Sequence, residues 1–241
     1  MRLDIYLTES KLTDSRTEAK KLIESGAVKV NGKPITKPAF DVENNVDISV
    51  DKSQIKYVSR GGLKLEGALD EFDVNPSGRL AIDIGASSGG FTDCLLQRGV
   101  KHVIAVDSGT SQLVERLRCD DRVTSVENYN ARYLCADDIE YSPDLAVMDV
   151  SFISATLIIP SLYNTLASGA DFICLIKPQF EVGKANIGKG GIVKNEKIRN
   201  EAVASVIDFA KITGFTFVNK MTSPITGGDG NIEFLAHFKK P

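Results

Sequence analysis

Leu3, Tyr6 and Leu7 are spaced as on one face of a helix, and Ser15-Arg16-Thr17-Glu18 forms a capping box for a second helix running to about Ser25, where Gly26 stops it. Val28-Lys29-Val30 then alternates up to Asn31-Gly32, a dipeptide that favours a two-residue hairpin turn. Val46-Asp47-Ile48-Ser49-Val50 alternates again. These elements predict a small α+β domain, residues 1–56, whose last residues, 51–56, are a polar linker. Further on, Leu80-Ala81-Ile82-Asp83-Ile84 is an apolar strand running into a loop of small residues, and residues 91–98 read as a helix ended by Gly99. Strand, glycine loop and helix open a doubly wound sheet. Six more strands are expected at residues 102–107, 123–126, 144–149, 171–177, 215–220 and 232–238, with helices between them until the last pair, where the missing helix suits an antiparallel final strand. The fold class expected for residues 57–241 is therefore α/β, a Rossmann-like seven-stranded sheet.

Composition narrows the chemistry. Cys94, Cys119, Cys135 and Cys174 contain no Cys-x-x-Cys pair, and His102 and His237 are far apart, so neither a metal cluster nor a disulfide framework is expected. No stretch approaches the roughly 20 apolar residues that span a bilayer, so no membrane partner and a cytoplasmic location are expected. The net charge of −3 argues against a polyanionic partner, but residues 1–60 carry eleven Lys and Arg against nine Asp and Glu. On the second helix Arg16, Lys20 and Lys21 form a basic face that leads to Lys29 and Lys33 around the turn. Such a face either grips phosphates or is merely solvated.

A loop of small residues lets backbone N–H groups approach a ligand closely. Asp83 precedes its first glycine, where a carboxylate would repel a pyrophosphate but suit a cationic ligand. No Gly-Lys-Ser/Thr follows, which excludes a P-loop. Asp107, some twenty residues on, either accepts nucleoside ribose hydroxyls or caps the next helix. Asp149 and Lys177 end two strands at the edge where open α/β sheets bind ligands. A lysine there either snorkels to water or, if desolvated, accepts a proton.

Two resemblances sharpen this picture. Arg2-Leu3-Asp4, Ser15-Arg16, Ala19 and the run from Leu22 to Gly32 resemble the small RNA-binding domain named after ribosomal protein S-four. Tyr57 to Leu65, Asp83 to Thr92, Asp149 to Ser154, Lys177-Pro178-Gln179-Phe180-Glu181 and Gly230 to Leu235 resemble the TlyA family, historically labelled haemolysins and similar in their catalytic domain to FtsJ-type ribose 2'-O-methyltransferases. The resemblance implies S-adenosylmethionine as cofactor and a cytidine 2'-hydroxyl of ribosomal RNA, naked or in subunits, as substrate. It implies a catalytic set of Lys64, Asp149, Lys177 and Glu233. It also implies a cofactor set of Asp83, Gly85, Ala86, Ser87, Ser88, Gly89, Gly90, Phe91, Thr92, Asp107, Gln112 and Asn130. RNA contacts are expected from Arg2, Arg16, Lys20, Lys21, Lys29, Lys33 and Arg60. The sequence departs from the family at Ser108-Gly109-Thr110-Ser111, where an aromatic residue is usual. The Gly- and Lys-rich stretch from Val182 to Lys194 is either a lid that contacts RNA or a loop without fixed structure. The rival readings are a ribosome-assembly factor that binds without catalysis, a cytolysin, and a methyltransferase of the same fold that acts on a small molecule or protein.

Overall fold

The computed structural model describes residues 1–13, 15–24, 26–43, 46–51, 56–188 and 190–241. Ser25 and residues 52–55 of the expected linker lie outside the described residues. The chain divides into two compact units, Met1–Lys56 and Tyr57–Pro241.

In the first unit, helices α1 (Leu3–Glu9) and α2 (Arg16–Glu24) pack beside a three-stranded antiparallel sheet of β1 (Val28–Val30), β2 (Lys33–Pro34) and β3 (Ile48–Val50), with β1 in the middle. The Ser15 hydroxyl accepts the Glu18 N–H at 3.1 Å, one half of the expected capping box. Asn31 (φ +50) and Gly32 (φ +75) both adopt the left-handed conformation that a two-residue hairpin demands. Leu3, Leu7, Ala19, Leu22, Ile23 and Val28 close a small core. At its margin Asp4 is fully buried, accepting two hydrogen bonds from Arg2 (2.9 and 3.1 Å) and one from Arg16 (2.9 Å). These bonds, Arg2's first, hold its carboxyl down at about 2 against the opposing effect of burial.

The second unit is built on seven strands. Helix α3 (Gly61–Glu71) precedes β4 (Leu80–Ile84), α4 (Gly90–Gln97), β5 (His102–Val106), α5 (Glu115–Arg118), β6 (Val123–Val126) and β7 (Leu145–Met148). Then follow α6 (Ile159–Thr165), β8 (Asp171–Ile176), α7 (Pro178–Glu181), α8 (Glu196–Thr213), β9 (Thr216–Thr222) and β10 (Phe234–Lys239). The strand order is β6-β5-β4-β7-β8-β10-β9, parallel except for β10, which runs antiparallel to both neighbours. Period-two alternation sends Ile82, Ile84, Met148 and Phe172 to a core shared with α6 and α8, and Ala81, Val147, Ile173 and Leu235 to one shared with α3 and α4. At the end of the sheet where the parallel strands begin, Asp171 receives Arg79 (2.6 Å), His237 (2.7 Å) and Lys239 (3.2 Å), tying β8 and β10 to the residue before β4.

Replacing Asp4 by Ala should speed amide exchange in α1 by about tenfold in the full chain, because the two guanidiniums lose the anchor that orders the first turn. Since the Asp4 carboxyl lies below its ordinary value, its contribution is present above about pH 4 and is lost as pH falls toward 2. Exchange in α1 that is unchanged by the substitution would refute this role.

Candidate active site

Parallel strands end at one edge of a sheet, and an antiparallel neighbour begins there. The register Phe234↔Ile176 therefore sets Glu233 beside Lys177, while Asp149 follows β7 on the other side of β8. The four expected catalytic residues form two ion pairs. Lys177 Nζ lies 2.6 Å from Asp149 Oδ1 and donates to the Ser151 hydroxyl at 2.7 Å. Lys64, in the first turn of α3, donates to Glu233 Oε2 at 2.5 Å, with Lys64 8% and Glu233 2% exposed. The chain entering α3 is held by Asp93, which accepts the Val58 N–H at 2.8 Å and pairs with Arg116 at 2.7 Å.

The glycine loop lies at the same edge. Gly85 has φ +82, and a Cβ there would collide with the Asp149 carbonyl oxygen, so only glycine lets the ends of β4 and β7 come this close. Ser87 (φ +48) is also left-handed; its N–H donates to Asp107 Oδ2 at 2.7 Å, while the Gly109 N–H donates to Oδ1 at 2.7 Å. Asp107 thus ties the loops after β4 and β5 together, and each of its oxygens keeps a further lone pair. Asp83 is fully buried; Thr92 donates to its Oδ2 at 2.7 Å, and Oδ1 has no hydrogen-bond partner among the described residues. Burial, reinforced by Asp149 and Asp107 and opposed by Thr92, pushes the Asp83 carboxyl up to about 7. Ala86 and Phe91 are buried, as is Gly90 at the start of α4; Ser88 is partly exposed. Gly89 (φ +95) caps that helix. Gln112 is exposed and folds over Gly109, and Asn130 spends its side-chain oxygen on the Arg132 N–H.

Three residues to which the sequence assigned no role complete the site. Glu127, directly after β6, accepts the Ser111 N–H at 2.7 Å through Oε2, while its buried Oε1 has no partner among the described residues. Asn231, 2% exposed, accepts the Val193 N–H (3.0 Å) and donates to the Gly191 carbonyl (2.9 Å), pinning part of the Gly- and Lys-rich stretch beside Glu233. A turn at Lys184–Asn186 and a Gly188–Ile192 hydrogen bond give further local structure to that stretch; Lys189 lies outside the described residues. Phe152, three residues after Asp149, is 91% exposed at φ +65, with its ring 5.1 Å from that of Phe180. Position along the sheet edge is the signal that could have found Glu127. The partners of the other two are set by tertiary contact alone.

Of the expected RNA contacts, Arg2, Arg16, Lys20, Lys21, Lys29 and Lys33 are exposed on the first unit, Arg2 and Arg16 anchored to Asp4. Arg60 belongs to the second unit, exposed immediately before α3 and near Gly228.

Residues 57–240 match the family model described as FtsJ-like methyltransferase, and residues 1–48 match the S4 domain. The chain is 45% identical over 243 residues to hemolysin A of Brachyspira hyodysenteriae, covering 99% of each. It is 42% identical over 235 residues to the 16S/23S rRNA (cytidine-2'-O)-methyltransferase TlyA of Mycobacterium tuberculosis, covering 97% of this chain and 88% of that one. A solved protein from Streptococcus thermophilus that carries a hemolysin label is 45% identical with a TM-score of 0.79, over 100% of this chain and 88% of that one.

Lys64→Met leaves Glu233 buried without its cation and should cost about 3–5 kcal/mol in urea unfolding of the full chain. Lys64→Met with Glu233→Gln should recover at least half of that loss, because no uncompensated charge then remains. A double variant no more stable than the single one would contradict the pairing.

Proposed function

The chain belongs to the FtsJ-like methyltransferase family, in its TlyA branch, and we propose on this footing that it transfers a methyl group from S-adenosylmethionine to a cytidine 2'-oxygen of ribosomal RNA. The observation that carries the reading is the pair of lysine–carboxylate bridges at one sheet edge, beside a glycine loop with a buried acid. A ribose hydroxyl is a weak nucleophile: as its oxygen bonds to the methyl carbon, the methyl–sulfur bond breaks to leave a neutral thioether and the hydroxyl proton passes to water, so the site must align the hydroxyl and stabilise its developing alkoxide character. Lys177 suits this role, since its amine sits 2.6 Å from Asp149 as an ion pair and donates one N–H to Ser151, which leaves N–H groups for the substrate oxygen. Lys64 and Glu233 add a second, desolvated pair whose field acts where little water screens it. Neither pair needs to move for this.

S-adenosylmethionine supplies an activated methyl group on a cationic sulfur, and the residues present fit it. Asp83 offers an oxygen without a partner among the described residues, and its carboxyl, pushed up by burial, gains from a nearby cation. The left-handed Gly85 and Ser87 bend the loop back over the ends of β4 and β5, and Asp107, with a free lone pair on each oxygen, suits the ribose of a nucleoside. Glu127 adds an acceptor next to that position. The exposed ring of Phe152 suits the face of a base lifted out of its stack. In the first unit, Arg2 and Arg16 each retain donors beyond those used on Asp4, and Lys20, Lys21, Lys29 and Lys33 add phosphate contacts. No helix among the described residues is long and apolar enough to cross a membrane.

With ribosomal subunits lacking the modification and labelled S-adenosylmethionine, the parent protein should place label in RNA ribose, and Lys177→Ala should lower the rate at least about a hundredfold. A parent that binds cofactor and subunits but transfers nothing would replace this reading with the binding-only one. Cofactor affinity should weaken as pH falls from 8 to 6, by up to about tenfold per unit below pH 7, because Asp83 must lose a proton to face a cation. Calorimetric titration of Asp83→Asn should give a flatter profile; one as steep as the parent's would assign the dependence to another group.

A further inference from the structure

The motif Lys177-Pro178-Gln179-Phe180-Glu181 ends in an acid that the mechanism above does not use. Glu181 is the last residue of α7, a single turn that starts directly after Lys177. Its carboxylate crosses to the loop after β7, where Oε2 accepts the Ser154 hydroxyl at 2.5 Å and Oε1 accepts the Ala155 N–H at 2.8 Å. Ser154 also caps the turn Ala155–Leu157 that follows. Two more contacts join the same two segments: Lys177 to Asp149 and Ser151, and the ring of Phe180 to that of Phe152. The segment from Asp149 to Ala155 is thus fastened to the segment from Lys177 to Glu181 by three successive rungs.

The rungs differ in character. The first contains the proposed catalytic pair, and the second is a ring contact whose outer member is almost wholly exposed. The third is a pair of hydrogen bonds to a largely desolvated carboxylate, which burial pushes up. Between the first and third rungs sits Phe152 in a left-handed conformation that is uncommon for a bulky residue and persists only where the surroundings impose it. Without Glu181, the segment beyond Phe152 loses the Ser154 hydroxyl bond and the Ala155 N–H bond that tie it to α7, and Ser151, which orients Lys177, belongs to the same stretch of chain.

We propose that Glu181 is a positioning residue for methyl transfer, a latch that fixes the loop from Asp149 to Ala155 so that Ser151 and Phe152 present Lys177 and the target nucleotide in reactive register. It acts through these residues and touches no reacting atom. This rests on the methyltransferase reading, and the two fail differently: a parent protein without transfer sinks that reading, whereas the latch is judged only against an active parent.

The test is steady-state transfer to ribosomal subunits lacking the modification, with cofactor affinity and thermal unfolding measured on the same full-length samples. Glu181→Ala should lower kcat at least about tenfold and leave the S-adenosylmethionine Kd within about twofold, because the glycine loop and Asp107 lie on other strands. Glu181→Gln keeps an acceptor for the Ala155 N–H and an amide that donates to the Ser154 oxygen, so it should restore kcat to within about threefold of the parent. Ser154→Ala removes one bond only and covers the case in which Glu181→Ala fails to fold; its kcat should fall less than that of Glu181→Ala. Combined with Glu181→Ala it should add little, as expected of two partners in one contact. The latch is refuted if Glu181→Ala keeps kcat within twofold, if Glu181→Gln is as slow as Glu181→Ala, if the losses from Ser154→Ala and Glu181→Ala simply multiply, or if cofactor affinity falls in step with kcat.

Discussion

The buried ion pair between Lys64 and Glu233 constrains the second unit more than any other contact. Its partners lie 169 residues apart in sequence, one in the first turn of α3 and the other just before β10. Desolvating two charges is expensive, and well-packed apolar side chains of similar volume often serve stability as well or better. A pair of this kind therefore dictates its surroundings: α3 must lie over the sheet edge, and β10 must start beside Lys177 and run back along β8. Gly227 is part of the same arrangement, because a Cβ there would lie 2.5 Å from Glu233 Oε1. Stability alone gives no reason to keep such a pair. Its position beside a second lysine–carboxylate pair gives a chemical one.

Charge on this edge is unbalanced in an informative way. Lys64 and Lys177 face Glu233 and Asp149, one cation to each acid, so Asp83, Asp107 and Glu127 remain as acids that accept from neutral N–H and O–H groups. Neutral donors orient a carboxylate without cancelling its charge. The effect is visible at Asp83, where burial is the leading cause of a carboxyl pushed up to about 7 and the neighbouring Asp149 and Asp107 add to it. A polyanionic ligand would aggravate this imbalance and a cationic one would relieve it. That distinction separates this glycine loop from the pyrophosphate-binding loops it resembles in outline.

What could be read from the sequence follows the range of the interactions concerned. Asn31-Gly32 announces its hairpin because the left-handed conformation is a property of those two residues, and the central strands β4, β5, β7 and β8 announce themselves as apolar runs bounded by turns. The boundaries moved by one or two residues, as with β9, expected at 215–220 and found at Thr216–Thr222. The register of β10 against β8, which sets the Lys64–Glu233 pair beside the Lys177–Asp149 pair, was not legible from local pattern. The contacts of Glu127, and those of Glu181 and Asn231 within their motifs, escaped for the same reason: each is made with a segment that local pattern does not place beside it. The open choice at residues 182–194 narrows because a single asparagine, 2% exposed, fastens Gly191 and Val193.

On the proposed reading, a structural bond in the basic face of the first unit would also serve recognition. Pairing Arg2 and Arg16 with Asp4 subtracts one charge from the face, which taken alone weakens long-range attraction for a polyanion. It also fixes two long side chains that would otherwise lose rotamer freedom on meeting a phosphate, a cost of up to about 2 kcal/mol for each arginine. A guanidinium has five N–H groups in a rigid fork; Arg2 uses Nε and Nη2 on Asp4, and Arg16 uses Nε, leaving the rest for another acceptor. Because the Asp4 carboxyl lies near 2, it stays ionised across the range in which RNA is handled, and the two arginines keep their orientation throughout it. The exposed lysines at 20, 21, 29 and 33 have no such anchor among the described residues, and on the proposed reading they would supply the unspecific attraction that this arrangement gives up.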